Sequence, residues 1–244
     1  LLHAVAVVKA GVFTILKVVV YIFGIDLLAT TGASGWLTWV AAFTIIAASC
    51  VALGKNNLKA RLAYSTISQL SYIVLGAALA TSAGVIGGGM HIVMHAFGKI
   101  TLFFCAGAIM VGAHKTDISE MDGLGRRMPF TYGAFLFGSL SVIGLPPMGG
   151  SWSKWFLLLG AAEAHQWVMM VVLMASSLLS IGYLMPVVVR GFFRAGPGDD
   201  EHGGGGMHEA PLLCVLPPVF TAIGSVLLFF YAGDVWRLLT GMVP

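Results

Sequence analysis

The stretch GMHIVMHAFGKITLFF, residues 89–104, is mostly apolar but carries three protonatable side chains, His91, His95 and Lys99, at intervals of four residues. Helical positions four apart are offset by about 40° and about 6 Å, so the three groups form a stripe along one face. Because histidine changes charge near physiological pH, such a stripe is suited to relaying protons. Two other readings stay open: a metal pair formed by the two histidines, for which the sequence offers no evident third ligand, and plain hydrogen bonding to neighbouring helices.

Three further lysines lie within apolar runs, at Lys9, Lys17 and Lys154. An ionised lysine at the centre of a membrane span costs about 2.5–3.5 kcal/mol on insertion scales, so it needs a partner, water or loss of its proton. Lys17 lies near a helix end and can extend to the interface, which leaves a structural and a functional role equally open. Lys154 lies close to the start of a helical segment, whose positive dipole end disfavours a charged lysine.

Other polar groups in or beside the apolar runs are candidate accessory residues. Three of them recur at helical spacing in AYSTISQLSYIVLG, where they can hold bridging water or simply hydrogen-bond other helices. One histidine near the start of the chain is a candidate entry group, and one glutamate follows Lys154 on the same segment. Together with Lys17, the accessory candidates are His3, Ser65, Gln69, Tyr72 and Glu163.

The composition indicates an integral membrane protein. Of 244 residues, 58% are hydrophobic and only 9% are charged, with a mean hydropathy of +0.94, whereas soluble domains carry about 25% charged residues. The net charge of +3 and the lack of a basic patch with interleaved aromatics argue against a nucleic-acid partner. Cys50, Cys105 and Cys214 lie in apolar stretches without metal-ligand spacing, so we expect buried thiols, with no disulfide and no metal centre.

Seven apolar runs are long enough to be transmembrane helices. The predicted fold is therefore an all-α, polytopic membrane helix bundle with seven spans. The predicted spans are 1–24, 36–54, 63–82, 87–113, 130–164, 167–194 and 211–233.

The fifth span is interrupted by IGLPPMGGSWSK, whose prolines and glycines cannot continue a helix. We expect half-helices at about 130–143 and 151–164 joined by a non-helical bridge; the alternative is a short hairpin that does not cross. Broken helices at membrane depth must border protein or water, and in transporters they mark ion and substrate sites.

The distribution of Lys and Arg predicts the orientation. One set of loops and helix ends holds nearly all of them, and such residues accumulate on the cytoplasmic side. We therefore expect residue 1 on the cytoplasmic side of a bacterial inner membrane and the C-terminus outside. The residues on the predicted cytoplasmic side are Lys55, Lys59, Arg61, Lys115, Arg126, Arg127, Arg190 and Arg194.

A polar, glycine-rich segment divides the chain into a membrane domain at 1–194, a linker at 195–210 and a final span with an interfacial tail at 211–244. His202 and His208 in this segment are compatible with a metal site, but the composition favours a flexible cytoplasmic linker. The chain opens without Met and within an apolar run, which suggests a fragment that lacks an upstream part.

Several stretches together resemble the antiporter-like proton-conducting subunits of respiratory complex I, membrane-bound hydrogenases and Mrp-type cation/proton antiporters. They are LLHAVAVVKAGVFTILKV, LKARLAYSTISQLSYIVLG, HIVMHAFGKITLFFCAGAIM, MDGLGRRMP and GLPPMGGSWSKW. The resemblance covers residues 1 to about 195 in order and is nearest to the Mrp-type antiporters, in particular to their D-type component. It implies a core of fourteen spans with two inverted five-helix repeats, of which the present seven are the eighth to fourteenth.

The resemblance also implies roles for individual residues. Lys9 matches the lysine that bridges two half-channels, His91 and His95 match the histidines of the eleventh span with Lys99 one turn on, and Lys154 matches the lysine at the outward exit. Two further essential charged residues of the family belong to helices upstream of this sequence.

We therefore expect a transporter subunit, rather than an enzyme in itself, that moves protons from Lys9 along Lys99, His95 and His91 to Lys154. In an antiporter complex the movement is coupled to Na⁺ export, with other membrane subunits as partners and no cofactor. The homologous pump subunit of complex I or a hydrogenase is the alternative in the same class. A quinone- or metal-binding redox enzyme is an alternative of a different class, but the sequence contains no haem, flavin or iron–sulfur ligand pattern to support it. An inert scaffold subunit is a third alternative, and the buried charges argue against it.

Overall fold

The structure, a computed structural model, describes residues 7–196 and 208–241, and these form helices joined by short turns, with no β-strand in those two ranges. The helix α1 continues as a π-helical stretch, Val18–Phe23, and a short 3₁₀ turn, Ile118–Glu120, precedes α6. The helices are α1 Val8–Lys17, α2 Ile25–Thr31, α3 Gly35–Gly54, α4 Leu58–Ala78, α5 Ser82–Ala113, α6 Leu124–Arg127, α7 Pro129–Ile143, α8 Gly150–Glu163, α9 Trp167–Phe193, α10 Leu212–Phe230 and α11 Ala232–Thr240. His3 and most of the expected linker, including His202, lie outside the described residues.

The all-α membrane fold is confirmed, whereas the count of seven spans is supported only in part. Over the described residues, α3, α5, α9 and α10 are four helices long and apolar enough to cross a membrane. A fifth is obtained if Val8–Phe23 and α2, which meet at an 80° bend, form one span. At 21 residues α4 is long enough to cross a membrane, but it is not apolar enough to be counted with these four helices. Its many polar side chains lower its hydropathy, and most of them are buried against other helices rather than facing lipid.

The predicted break in the fifth span is confirmed, because α7 ends at Ile143 and α8 begins at Gly150. Both half-helices pack along α5. As the residue numbers increase from α7 to α8, the numbers of their contact residues on α5 decrease, so both half-helices run antiparallel to α5. The chain therefore continues in the same direction across the break, which makes α7 and α8 one interrupted span rather than a hairpin. The paired positions are Gly138 with Thr101, Ser153 with His91, and Gly160 with Gly84.

Close approach of α5 and α8 depends on small residues. A Cβ at Gly160 would overlap the backbone nitrogen and Cα of Gly84, so only glycine allows the two helices to come this near. By contrast, a Cβ at Gly107 on α5 would meet no atom within 4 Å. This packing holds α8, and with it Lys154, against the histidine-bearing helix.

The segment that follows the glycine-rich stretch is fastened to the start of α7. Glu209 Oε1 accepts hydrogen bonds from the backbone nitrogens of Phe130 at 2.7 Å and Thr131 at 3.2 Å, and Glu209 Oε2 accepts from Thr131 Oγ1 at 2.7 Å. A carboxylate here satisfies free N–H groups at a helix N-terminus and interacts favourably with the helix dipole.

Four details differ from the sequence-based expectations. The α4 helix begins at Leu58, capped by the Asn57 side chain, rather than near residue 63. Arg61 therefore lies inside α4, buried, and donates to the carbonyls of Leu53, Lys55 and Tyr183, instead of lying in a loop. The expected interfacial tail forms the helix α11, which packs against the first half of α5. Finally, the three cysteines are free, but only Cys105 is buried; Cys50 is exposed and Cys214 is half-buried.

Candidate functional site

The three groups of the opening stripe lie on one buried face of α5. His91 and His95 are each 2% exposed and Lys99 is fully buried. The two imidazole rings are stacked, with their centroids 5.5 Å apart and their planes inclined by 15°. The helical periodicity of the sequence thus correctly predicts that these side chains share a face.

Lys9 and Lys154, each 8% exposed, complete a buried row of protonatable groups. Lys9 lies on α1, which packs against α4 and α5, within electrostatic range of His91, His95 and Lys99. Lys154 lies on α8, within electrostatic range of both histidines. Four helices of the bundle therefore surround one row that begins at α1 and ends at the helix break.

Lys99 is held by α4, which runs antiparallel to α5. Its Nζ donates to the Leu62 carbonyl at 3.2 Å and to Ser65 Oγ at 2.6 Å. Ser65 Oγ in turn donates to the Tyr183 hydroxyl on α9 at 2.9 Å. Ser65, proposed from its spacing alone, thus contacts the buried lysine directly.

His91 links the stripe on α5 to α8. Its ring stacks between His95 and Tyr72, whose ring centroid is 5.4 Å away. Its Nδ1 is 2.9 Å from Ser153 Oγ, and Ser153 gives its single proton to the Gly150 carbonyl at 3.0 Å. With the Ser153 proton directed to Gly150, Ser153 accepts from His91 in the tautomer that carries its proton on Nδ1, and Nε2 is then the nitrogen that can receive a proton.

Lys154 joins the two halves of the interrupted span. Its Nζ donates to the carbonyl of Ile143, the last residue of α7, at 2.9 Å, and to Ser177 Oγ on α9 at 2.9 Å. It also lies 5.1 Å from the centroid of the Tyr72 ring, in cation–π range. The N-terminus of α8 is four residues away, as expected, but the long side chain also carries its nitrogen to the carbonyl end of α7, where a cation is favoured.

Several buried polar atoms in the row and beside it have no hydrogen-bond partner within the described protein. They are Lys9 Nζ, His91 Nε2, both ring nitrogens of His95, and the amide atoms of Gln69, which lies beside Tyr183. Buried polar groups are nearly always hydrogen-bonded to protein or to ordered water. The row between Lys9 and His91 is therefore suited to bridging water molecules, each of which needs two or more polar partners.

The two remaining accessory candidates lie apart from the row. Lys17 is exposed, with its Nζ 5.3 Å from the ring centroid of Phe13. Glu163 is exposed at the end of α8 and makes no ion pair with Lys154. Among the described residues, no carboxylate forms an ion pair with Lys9, Lys99 or Lys154. The row is consequently cationic or neutral, and its members repel one another whenever two are charged.

A polar face of α9 was missed in the sequence. Ser176, Ser180 and Tyr183 recur at spacings of four and three residues in SSLLSIGY, which is a recognisable helical stripe, and all three are buried. Ser176 Oγ lies 3.0 Å from Ser49 Oγ and 3.3 Å from Ser68 Oγ, and those two hydroxyls are 2.8 Å apart. The Tyr183 hydroxyl on this face reaches Lys99 through Ser65, and the adjacent residue Ser177 contacts Lys154 directly.

A cavity of about 450 Å³ opens beside Lys154, between the helix break and α9. Its wall combines Lys154 and Ser177 with large, partly exposed apolar side chains such as Trp155 and Met174. It gives the last lysine of the row an opening towards the protein surface. Within the two described ranges, no cluster of three His, Cys, Asp or Glu side chains is arranged to hold a metal ion.

Comparisons with known proteins agree with this geometry. Residues 1–180 match the family model for the membrane domain of the NADH:quinone oxidoreductase/Mrp antiporter proteins. NADH-quinone oxidoreductase subunit N of Desulforudis audaxviator is 40% identical over 161 residues, covering 66% of this chain and 32% of that protein. Subunit L of Rickettsia bellii is 32% identical over 246 residues, covering 99% of this chain and 36% of that protein. The chain thus spans about a third of the length of these relatives.

Solved structures share the fold. A chain of the Mrp complex from Dietzia sp. superposes with a TM-score of 0.78 at 21% identity, covering 96% of this chain and 50% of the other. A chain of respiratory complex I from Thermus thermophilus superposes with a TM-score of 0.79 at 22% identity, covering 96% of this chain and 48% of the other.

Proposed function

The chain belongs to the NADH:quinone oxidoreductase/Mrp antiporter membrane family, and from this premise we propose that it is part of a proton-translocating subunit of a multi-subunit Na⁺/H⁺ antiporter. The proton passes from Lys9 along Lys99, His95 and His91 to Lys154. The observation that carries this proposal is the set of five buried protonatable groups that lie within electrostatic range of one another, without a paired carboxylate among the described residues. The proton carriers are the side chains themselves, with bridging water where ring nitrogens lack a protein partner.

Repulsion between like charges couples the protonation of neighbouring groups in this row. Two unit charges 4 Å apart repel by about 4 kcal/mol at an effective dielectric constant of 20, so a proton arriving at one member makes its neighbour release one. His91 and His95 are suited to the middle of such a path, because imidazole can accept a proton at one nitrogen and release it from the other. Lys154 is suited to the end of the path, because a cavity opens beside it.

A pump subunit of an NADH-quinone oxidoreductase is the second candidate. It is favoured by the relatives, which are subunits N and L of such complexes. Both candidates share the proton row and the requirement for partner subunits, and they differ in what drives it. Proton movement in membrane vesicles that responds to Na⁺ without NADH supports the antiporter, whereas NADH-driven movement that is indifferent to Na⁺ supports the second candidate.

For the orientation we propose a bacterial inner membrane with residue 1 on the cytoplasmic side and the C-terminus outside. The contacts between loops support it, because they gather the basic helix ends at one end of the bundle. Asn57 forms a β-bridge with Asp117, which joins the turn after α3 to the turn after α5. Asp122 lies 3.6 Å from Arg190 and 3.8 Å from Arg194, at the end of α9.

The substitution His95→Ala tests the relay most cleanly. Neither ring nitrogen of His95 bonds to the described protein, so its removal leaves no protein group unsatisfied. In the full-length complex we expect proton flux to fall by about a hundredfold or more, the contribution of a positioned acid–base group, while metal content and assembly stay unchanged. His114→Ala, at the exposed end of the same helix, serves as the control. Stoichiometric zinc or iron that is lost in the mutant, or unaltered flux, would overturn the proposal.

A further inference from the structure

A chain of buried hydroxyl groups connects Lys99 to α9 and does not include the histidines. Lys99 Nζ donates to Ser65 Oγ at 2.6 Å, Ser65 Oγ donates to the Tyr183 hydroxyl at 2.9 Å, and the Tyr183 and Ser180 hydroxyls are 2.9 Å apart. Every member of the chain is fully buried. The proposed proton path does not use Tyr183 or Ser180.

The direction of each hydrogen bond in this chain follows by elimination. A serine hydroxyl has one proton to give, and Ser180 gives its proton to the carbonyl of Ser176 at 2.9 Å. Ser180 can therefore only accept from Tyr183, whose single proton is then committed. Tyr183 in turn accepts the proton of Ser65, so Ser65 presents only lone pairs to Lys99. All the protons point from Lys99 towards a backbone carbonyl.

This polarity excludes a conducting role for the chain as it is arranged. A backbone carbonyl accepts a hydrogen bond but carries no proton to pass on, so the chain ends at Ser176. What the chain can do is fix an acceptor for Lys99. Without the Tyr183 hydroxyl, the Ser65 hydroxyl would be free to turn to a backbone carbonyl one turn earlier in α4, as serine in helices commonly does.

We infer that Tyr183 is a positioning residue for proton transfer: through Ser65 it holds the Lys99 nitrogen against α4, one helical turn from His95. This inference rests on the proposed function, because it concerns the spacing across which the proton leaves Lys99. The lysine side chain is a flexible stem with several rotatable bonds. An acceptor of fixed direction selects one arrangement of that stem, together with the Leu62 carbonyl at 3.2 Å.

Tyr132 provides a matched control for Tyr183. Both tyrosines are fully buried in the same apolar cluster. The Tyr132 hydroxyl, however, has no hydrogen-bond partner in the described part of the chain. Tyr→Phe at either position keeps the ring and removes only the hydroxyl. Tyr183→Phe breaks the hydrogen-bonded chain to Lys99, whereas Tyr132→Phe breaks no hydrogen bond.

The experiment is a double-mutant cycle in the full complex, measuring proton flux per assembled complex in inverted vesicles. We expect Tyr183→Phe and Ser65→Ala each to lower the flux by about tenfold, because Ser65→Ala removes a hydrogen bond to the charged Lys99 and Tyr183→Phe frees the Ser65 hydroxyl to turn away from it. The double variant should be no slower than the slower single variant, because both changes break the same chain. Tyr132→Phe should stay within about twofold of wild type and combine multiplicatively with Ser65→Ala.

The outcomes separate this inference from the proposed function. If Tyr183→Phe transports like wild type while Lys99→Ala does not, the positioning role is wrong and the proton path stands. If Lys99→Ala itself transports like wild type, the proposed path through Lys99 fails. If the losses from Ser65→Ala and Tyr183→Phe multiply, the two residues act separately and the chain has no positioning role. Should Tyr183→Phe assemble poorly, Ser180→Ala replaces it in the cycle, since it removes the acceptor of the Tyr183 proton and leaves the tyrosine in place.

Discussion

Lys154→Arg is the substitution that most directly tests whether the last lysine of the row must lose its proton. The side chain of Lys154 lies against the backbone of Gly144, where an added Cβ would overlap Lys154 Cδ. Arginine has the same stem up to Cδ, and its guanidinium offers more donors for the Ile143 carbonyl and Ser177 Oγ. Because arginine stays protonated in proteins, the variant keeps the charge and the contacts but cannot cycle. We expect the complex to assemble and cation-dependent proton transport to be abolished.

Lys154→Met measures how much the hydrogen bonds of Lys154 contribute to stability at the helix break. It removes both hydrogen bonds, each 2.9 Å long, and leaves the carbonyl of the buried residue Ile143 without its donor. An unsatisfied buried acceptor costs about 1–3 kcal/mol, which is comparable to a factor of about 5–150 in the population that opens at the helix break. The Met variant should thus lose both transport and local stability, whereas the Arg variant should lose transport alone.

The assay is Na⁺-dependent proton movement in inverted vesicles from cells that lack other antiporters, with assembly checked by co-purification of the partner subunits. Lys17→Arg and Lys17→Met are the matched controls, since Lys17 is exposed, and both should retain most of the activity. If Lys154→Arg transports like wild type, a protonation cycle at this residue is ruled out, and Lys154 is a fixed charge beside the path.

Three further substitutions test orientation and packing. A cysteine introduced between residues 197 and 207 should react with an impermeant thiol reagent only from the cytoplasmic side; labelling from outside in intact cells would reverse the orientation. Glu209→Ala should lower the thermal midpoint of the complex through loss of about 0.5–2 kcal/mol of helix capping, whereas Glu163→Ala, at an exposed position, should not; equal midpoints would contradict the capping role. Gly160→Ala should destabilise the α5–α8 contact by about 1–3 kcal/mol through overpacking, and Gly107→Ala, which has open space around it, should be neutral; a neutral Gly160→Ala would show that the two helices can separate without cost.

The amino-acid sequence by itself was sufficient for those features that depend on local physics. Hydrophobic composition decides the membrane class, because nine charged residues in a hundred cannot cover a water-facing surface. The 3.6-residue period places His91, His95 and Lys99 on one face of a helix, and the covalent geometry of proline ends α7 near residue 143. None of these conclusions requires knowing which helix lies beside which.

Only the tertiary structure decided the contacts that join one helix to another. The sequence predicts that Arg61 lies in a loop among other charged residues. It is buried instead, because its guanidinium donates hydrogen bonds to carbonyls of two other segments. Ser65 and Tyr183 are 118 residues apart and meet only because α4 and α9 present these faces to each other. Lys154 reaches the carbonyl end of α7 because the half-helices continue in one direction across the break. The rotation of each helix about its axis, and the reach of each long side chain, follow from the packing of the whole bundle, which the local sequence pattern does not specify.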